Sequence, residues 1–156
     1  MKKVFLIMLT VAVMTSCASA PKLLPPDQLV VQKIFEVKKT KSDLYVASMD
    51  WIAHSFGSTK AVVEFSDGES GTIIAKGFVK VPYKMNVQMD THFTMLIEAK
   101  ENKARMRLDK VYVETRVGAQ VGKSDVNNEY SWGQFLSVAE TIFASYELKI
   151  MEKSSW

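Results

Sequence analysis

The chain has 156 residues, with 20 basic and 17 acidic side chains and a single cysteine, Cys17. This length suits one compact domain, and a single cysteine excludes an internal disulfide. Because Lys2 and Lys3 lie in a predicted leader, the remaining roughly 140 residues carry almost equal numbers of basic and acidic side chains, so the composition gives no support for nucleic-acid binding.

Residues 1–16 have the pattern of an export signal. Two lysines precede the apolar run Val4–Met14, which only Thr10 interrupts. A run of about 11 residues suits a signal peptide and is too short for a transmembrane helix, which needs roughly 20. The run ends in Met-Thr-Ser-Cys, which resembles the lipobox of lipoproteins. We therefore expect Cys17 to become a lipid-bearing N-terminus that anchors the protein to a membrane.

An ordinary signal peptidase site is the alternative. Ala18-Ser19-Ala20 has the A-x-A form of such a site, but Pro21 follows directly and would hinder cleavage. Neither residue after Cys17 is the Asp associated with inner-membrane retention, and the acidic run that resembles a surface-export signal is missing. The predicted location is the outer membrane, with the protein facing the periplasm.

Residues 17–29 hold three of the four prolines and are predicted to be a tether, followed by one domain over 30–153. Val30–Val37 is typical of a first strand. Ser42 is expected to cap a helix that starts at Asp43 and ends at Gly57. Its apolar stripe consists of Leu44, Tyr45, Met49, Trp51, Ile52 and Phe56.

From Ala61 the apolar period changes to two, which predicts strands. The Asp67-Gly68 pair predicts a hairpin, and Pro82 is expected to end the return strand from Thr72. The next hairpin alternates apolar with polar residues, typical of a sheet with one wet face. Apolar positions change parity between Leu108 and Val111, so we expect a bulge or a break near Asp109-Lys110.

Arg116–Tyr130 is rich in Gly, Asn, Ser and Asp and is predicted to be a mobile loop. A capping box over Ser131–Gln134 predicts the start of the last helix. Its helical stripe consists of Trp132, Phe135, Leu136, Ala139, Ile142, Phe143, Tyr146 and Ile150. A stripe of this kind usually forms a core face rather than a cofactor site.

These elements predict an α+β fold: a curved antiparallel sheet of about five strands with two helices on one face, in the order β-α-β-β-β-β-α. Ile34-Phe35-Glu36-Val37, Leu44-Tyr45 with Trp51, and the segment Ile73–Gly77 resemble domain of unknown function 4468, a family of Bacteroidota envelope proteins. The resemblance covers roughly residues 33–115. It implies a fold like that of the TATA-box-binding protein, and it brings no catalytic residues.

Candidate catalytic groups are few. Asp50 and His54 lie four apart on the first helix, where we expect a solvated surface pair. His92 lies on a polar strand face near Asp90 and Thr94, and two histidines on different elements do not predict a metal site. Serines in the first hairpin, Ser66 and Ser70, lack the motif of a hydrolase nucleophile. We expect no cofactor and no metal.

Two hypotheses follow for the function. In the first, the chain is a non-catalytic binding or structural module whose open sheet face meets an envelope protein, peptide or glycan. The candidate residues of that face are Asn86, Gln88, His92, Thr94, Arg105 and Arg107. In the second, the chain is a small hydrolase of envelope polymers, which would need a pocket that brings His54 or His92 together with carboxylates.

Overall fold

The computed structural model of this chain describes residues 22–82, 88–117 and 120–152, without the side chains of 57–62, 116 and 117. The predicted signal, Cys17 and the first part of the predicted tether lie outside these ranges. The elements in chain order are β1 Val31–Glu36, α1 Lys41–Lys60, β2 Ala61–Asp67, β3 Thr72–Pro82, β4 Gln88–Lys100, β5 Lys103–Val117, β6 Gln120–Asp125 and α2 Glu129–Met151.

The strands form one antiparallel sheet in the order β1-β5-β4-β3-β2. β5 is long enough to pair with two partners on the same edge: β1 lies along Lys103–Leu108, and β6 lies along Tyr112–Val117. The α+β class predicted from the sequence is confirmed, and the described chain has six strands rather than about five.

The core lies between the sheet and the two helices, which pack on the same sheet face. Alternate residues of β4 point into it: Thr91, Phe93, Met95, Ile97 and Ala99 are all buried. From the helices, Trp51 and Tyr146 meet with ring centroids 5.2 Å apart, and Phe35 of β1 lies 5.0 Å from Tyr146. The helical stripes predicted from the sequence form this face.

The predicted bulge is confirmed at Asp109–Lys110. In the pairing of β4 with β5, Thr94 faces Asp109 while His92 faces Tyr112, so β5 holds an extra residue. Lys110 has φ 50°, a left-handed conformation that lets the backbone step over the inserted position. The bulge brings Tyr112 to the sheet face opposite the helices.

The mobile loop predicted over Arg116–Tyr130 is wrong. Gln120–Asp125 forms β6, and Glu129 and Tyr130 already belong to α2. All six residues of β6 are exposed, so the strand has no apolar alternation that would reveal it. Its stability depends on backbone pairing with β5, which composition does not show.

Three predicted helix ends also differ. The oxygen of Thr40 accepts a hydrogen bond from the Asp43 amide at 3.1 Å, so the cap of α1 is Thr40 rather than Ser42. α1 continues past Gly57 to Lys60, where it leads directly into β2. α2 begins at Glu129, and Asn128 Oδ1 accepts from the Ser131 amide at 2.9 Å, so Ser131 is not the cap.

The chain joins the domain earlier than the predicted start at residue 30. The Leu24 amide donates to Asn127 O at 2.7 Å, and the Glu129 amide donates to Lys22 O at 3.3 Å. Leu24 and Leu29 pack against the core. The second part of the predicted tether, from Lys22 onwards, is therefore fastened to the domain. No helix in the described ranges is long and apolar enough to cross a membrane.

Candidate functional site

The face of the sheet opposite the helices, here called the open face, carries the residues predicted to bind a partner. Gln88, His92 and Thr94 lie on it from β4, and Arg105 and Arg107 lie on it from β5. The antiparallel register places Arg105 beside Glu98 and Arg107 beside Leu96. Asn86 lies outside the described residues. The open face thus gathers the described candidates on two neighbouring strands.

A row of aromatic rings crosses the open face on three strands. The His92 imidazole lies between Phe78 of β3 and Tyr112 of β5, its cross-strand partners. It stacks on Tyr112 with 4.9 Å between centroids and 6° between planes, and its centroid is 5.4 Å from that of Phe78. Lys123 Nζ of β6 lies 4.8 Å from the Tyr112 centroid, within range of a cation–π contact.

His92 also has an acidic neighbour. Its Nε2 lies 3.6 Å from Glu114 Oε2, and both side chains are largely buried, with 26 % and 19 % of their surface exposed. A carboxylate at this distance attracts the protonated imidazole. An acid–base pair is therefore in place beside the aromatic row.

The arginines of the open face are paired rather than free. Arg105 Nε donates to Glu98 Oε2 at 2.7 Å, and an Arg107 guanidinium nitrogen lies 2.9 Å from Asp109 Oδ2. Arg107 Nε is buried, and the described residues provide it with no acceptor. Because Nε is enclosed by the protein, a ligand would reach Arg107 only through the rest of its side chain, which is 42 % exposed.

A groove of about 700 Å³ lies along the aromatic row. Its lining includes Pro26 and Leu29 of the N-terminal segment, His92, Arg107 and Tyr112 of the sheet, and Lys123 of β6. Ring edges, N–H donors and carboxylates meet within one depression, the usual composition of a ligand site.

A second depression, of about 990 Å³, lies between the connection from β1 to α1 and the turn from β4 to β5. It contains none of the predicted binding residues. Its cations Lys38, Lys39 and Lys103 are balanced by Glu36, Asp43 and Glu101, so it has no preference for a charged ligand. The groove on the open face is the better candidate.

Asp50 and His54 form an exposed pair on α1. His54 Nδ1 lies 2.8 Å from Asp50 O and 3.1 Å from Asp50 Oδ1, and 77 % of the His54 side chain is exposed. Lys149 of α2 binds the other Asp50 oxygen at 2.8 Å. This hydrogen bond lowers the pKa of Asp50 and, with Glu152, raises the pKa of Lys149. A carboxylate held in this way is a weak base for catalysis.

Ser66 and Ser70 lie at the turn between β2 and β3. Asp67 accepts hydrogen bonds from the amides of Glu69 at 2.9 Å and Ser70 at 3.2 Å, and hydrogen bonding to Ser70 and Glu69 lowers the pKa of Asp67. These residues build a turn. Within the described ranges, no three His, Cys, Asp or Glu side chains group as a metal ion would require.

The model of a domain of unknown function with a TBP-like fold, DUF4468, matches residues 32–114. The chain belongs to the DUF4468 family. Comparison of this DUF4468 chain with curated proteins finds no match. The family named by the sequence resemblance is therefore confirmed, and the family description states no activity.

Two solved structures share the fold of this DUF4468 chain. A TBP-like protein from Parabacteroides distasonis is 13 % identical, with a TM-score of 0.67 over 80 % of this chain and 94 % of that one. A DUF4468 family protein from Bacteroides ovatus is 14 % identical, with a TM-score of 0.61 over 81 % of this chain and 88 % of that one. At such identities the likeness shows the fold alone.

Several residues on or near the open face could not be predicted from the sequence. Phe78, Tyr112, Glu114 and Lys123 border or support the aromatic row, yet only His92 was predicted from the pattern. The change of apolar parity after Leu108 was a usable signal, because a bulge there moves Tyr112 to the polar face. No sequence signal pointed to Lys123, since its strand, β6, has no alternation of apolar and polar residues.

Proposed function

We propose that this DUF4468 domain is a non-catalytic binding module, held at the outer membrane by lipid on Cys17 and facing the periplasm. Its groove on the open face would take a segment of an envelope protein, peptide or glycan. The lipobox-like sequence that ends at Cys17 supports the anchor. The groove supports the binding role.

The observation that carries the binding role is the row of rings with cationic side chains beside it. Lys123 lies over Tyr112, and the Arg107 side chain, 42 % of which is exposed, also lines the groove. Peptides and glycans both present carbonyl or hydroxyl oxygens next to apolar groups. Such a ligand would accept hydrogen bonds from Lys123 and from the exposed part of Arg107 while it packs against the rings.

Site-specific photo-crosslinking in cells tests the binding role. A photoreactive amino acid at Thr94 lies in the groove, and the same amino acid at Glu140 lies on the exposed side of α2 as a matched control. We expect a discrete adduct from position 94 that Lys123→Glu weakens at least threefold. Identical adducts from both positions, or none from position 94, would contradict a ligand in the groove.

Metabolic labelling with a clickable fatty acid tests the anchor. We expect the label on the full-length protein to disappear in Cys17→Ser and to remain in Ser19→Ala, because only the cysteine sulfur accepts lipid. Cys17→Ser should also accumulate with its signal attached. Unchanged labelling of Cys17→Ser would contradict the anchor and leave the proposed binding role of the groove unaffected.

A small hydrolase of envelope polymers is the second candidate. The contact between His92 Nε2 and Glu114 Oε2 favours it, because a carboxylate that orients an imidazole is a common acid–base arrangement. Incubation of the purified protein with peptidoglycan distinguishes the two. Release of soluble fragments that His92→Gln abolishes and His54→Gln preserves would establish the hydrolase. No release by the wild-type protein favours the binding module.

A further inference from the structure

The end of the domain where the described chain begins has an unusual set of exposed side chains. Leu23 forms a backbone bridge with Asn128, just before α2. Lys22 Nζ lies 2.9 Å from Glu129 Oε1 in the first turn of that helix. Tyr130 is the next residue of the same turn. These contacts hold Lys22, Leu23 and Tyr130 at one end of the domain.

All three side chains of this end face solvent. Leu23 is 64 % exposed and Tyr130 is 44 % exposed, although both are large and apolar in part. The Lys22 side chain is 77 % exposed, and its partner Glu129 is 57 % exposed. An aliphatic chain, a phenol and an ammonium group exposed at the same end of a domain are typical of protein surfaces at the boundary between lipid headgroups and water.

The length of chain before Lys22 limits how far this end can lie from an anchor. Lys22 lies five positions after Cys17, and a fully extended chain spans at most about 18 Å over that distance. A lipid on Cys17 would therefore keep Leu23 and Tyr130 close to the headgroups.

We propose that Lys22, Leu23 and Tyr130 form a membrane-docking patch that seats this end of the domain on the bilayer surface. The inference rests on the proposed lipid at Cys17. Leu23 and Tyr130 enter the headgroup region, and the ion pair of Lys22 with Glu129 lies beside them at the polar headgroups. The partner of this patch is a lipid surface rather than a second protein.

Docking by this patch also fixes the orientation of the groove. Leu24 and Pro26, which border the groove, follow directly after the patch. The turn at Glu101–Asn102 lies at the far end of α2, because Lys39 contacts both Asn102 and Glu152. α2 spans about 34 Å between these ends. The groove therefore opens beside the membrane while the turn points into the aqueous compartment.

Fluorescence quenching by headgroup-labelled nitroxide lipids measures the orientation. Lipid occupies Cys17 in the mature protein, so an introduced cysteine is a unique labelling site. Gly133 is exposed, and a side chain there meets no atom within 4 Å, so Gly133→Cys places a fluorophore one turn from Tyr130. Glu101→Cys places it at the far end. In phosphatidylethanolamine–phosphatidylglycerol vesicles we expect at least threefold stronger quenching at position 133.

A double substitution separates docking from tethering. Leu23→Ser with Tyr130→Ser should reduce the quenching at position 133 at least twofold, while the lipid still holds the protein in the vesicle pellet. Val46→Ser with Leu148→Ser is the matched control, since these two residues are 61 % and 71 % exposed elsewhere on the helices. The control should leave the quenching unchanged.

The outcomes distinguish the two proposals. If Cys17 carries lipid and the quenching at positions 133 and 101 is equal, the docking patch is overturned and the anchor stands. Equal loss of quenching in the test and control variants also overturns it. An N-terminal peptide whose mass shows no lipid on Cys17 overturns both the anchor and the docking patch.

Discussion

The hydroxyl oxygen of Tyr146 on α2 lies 2.7 Å from Ser48 Oγ on α1, and both side chains are fully buried. Ser48 Oγ also donates to the Leu44 carbonyl at 2.6 Å. Because a hydroxyl has one proton, Tyr146 is the donor to Ser48. The two helices are therefore joined by a directional bond as well as by apolar packing.

Removal of either hydroxyl should destabilise the fold. We expect Tyr146→Phe to lower the free energy of unfolding by about 1 kcal/mol, and Ser48→Ala by about 1–3 kcal/mol because it leaves the phenol without an acceptor. The double variant should lose less than the sum of the two, since each change removes the same bond. Urea unfolding checks this, and strictly additive losses would contradict the bond.

Ionisation of the same phenol makes the free energy of unfolding depend on pH in the alkaline range. Burial raises the pKa of Tyr146 from 10.0 to about 12, outweighing the hydrogen bond to Ser48. The unfolded chain then releases this proton near pH 10 while the folded chain keeps it. The stabilisation is complete below pH 10 and is lost as the pH rises toward 12, by up to about 1.4 kcal/mol per pH unit.

Denaturant unfolding of the wild type and Tyr146→Phe over pH 9–12 isolates this effect, because the other titrating groups are common to both proteins. The free energy of unfolding of the wild type should fall more steeply with pH than that of the variant. Parallel curves would show that Tyr146 ionises as readily in the folded protein as in the unfolded chain.

The helical stripes and the strand faces could be predicted because the spacing of apolar residues indicates which side of a helix or strand is buried. Phe93, Met95 and Ile97 lie at every second position of β4 and are all buried. The bulge at Asp109–Lys110 was predictable for the same reason, since it shifts the alternation by one residue. These features set the fold class and the polar face of the sheet.

Features that depend on backbone hydrogen bonds without burial could not be predicted. β6 is exposed at every residue, and the segment from Lys22 is held mainly by backbone bonds to Asn127 and Glu129. Neither has an apolar period. The aromatic row could not be predicted either, because Phe78, His92 and Tyr112 become neighbours only through strand register.

Gly71 occupies a position that no other residue fits well. Its φ is +74°, and a Cβ there would clash with the carbonyl oxygen of Ala99, the residue whose amide donates to Gly71 O. We expect Gly71→Ala to lower the free energy of unfolding by about 2–4 kcal/mol. Thermal unfolding by circular dichroism measures it.

Gly133 is the matched control for Gly71. It lies inside α2, and an added Cβ meets nothing within 4 Å. Gly133→Ala should therefore stabilise the protein by about 0.5–1 kcal/mol, because alanine loses less backbone entropy in a helix. Equal effects of the two substitutions would contradict the left-handed turn at Gly71.

The structure and the sequence pattern assign the N-cap of α2 to different residues. Asn128 Oδ1 accepts from the Ser131 amide, whereas the capping-box pattern assigned the cap to Ser131. Asn128→Ala should cost about 1 kcal/mol of unfolding free energy, and Asn128→Asp should cost nothing, because a carboxylate keeps the acceptor and favours the positive end of the helix dipole. Ser131→Ala should cost less than Asn128→Ala in urea unfolding. The reverse order would restore Ser131 as the cap.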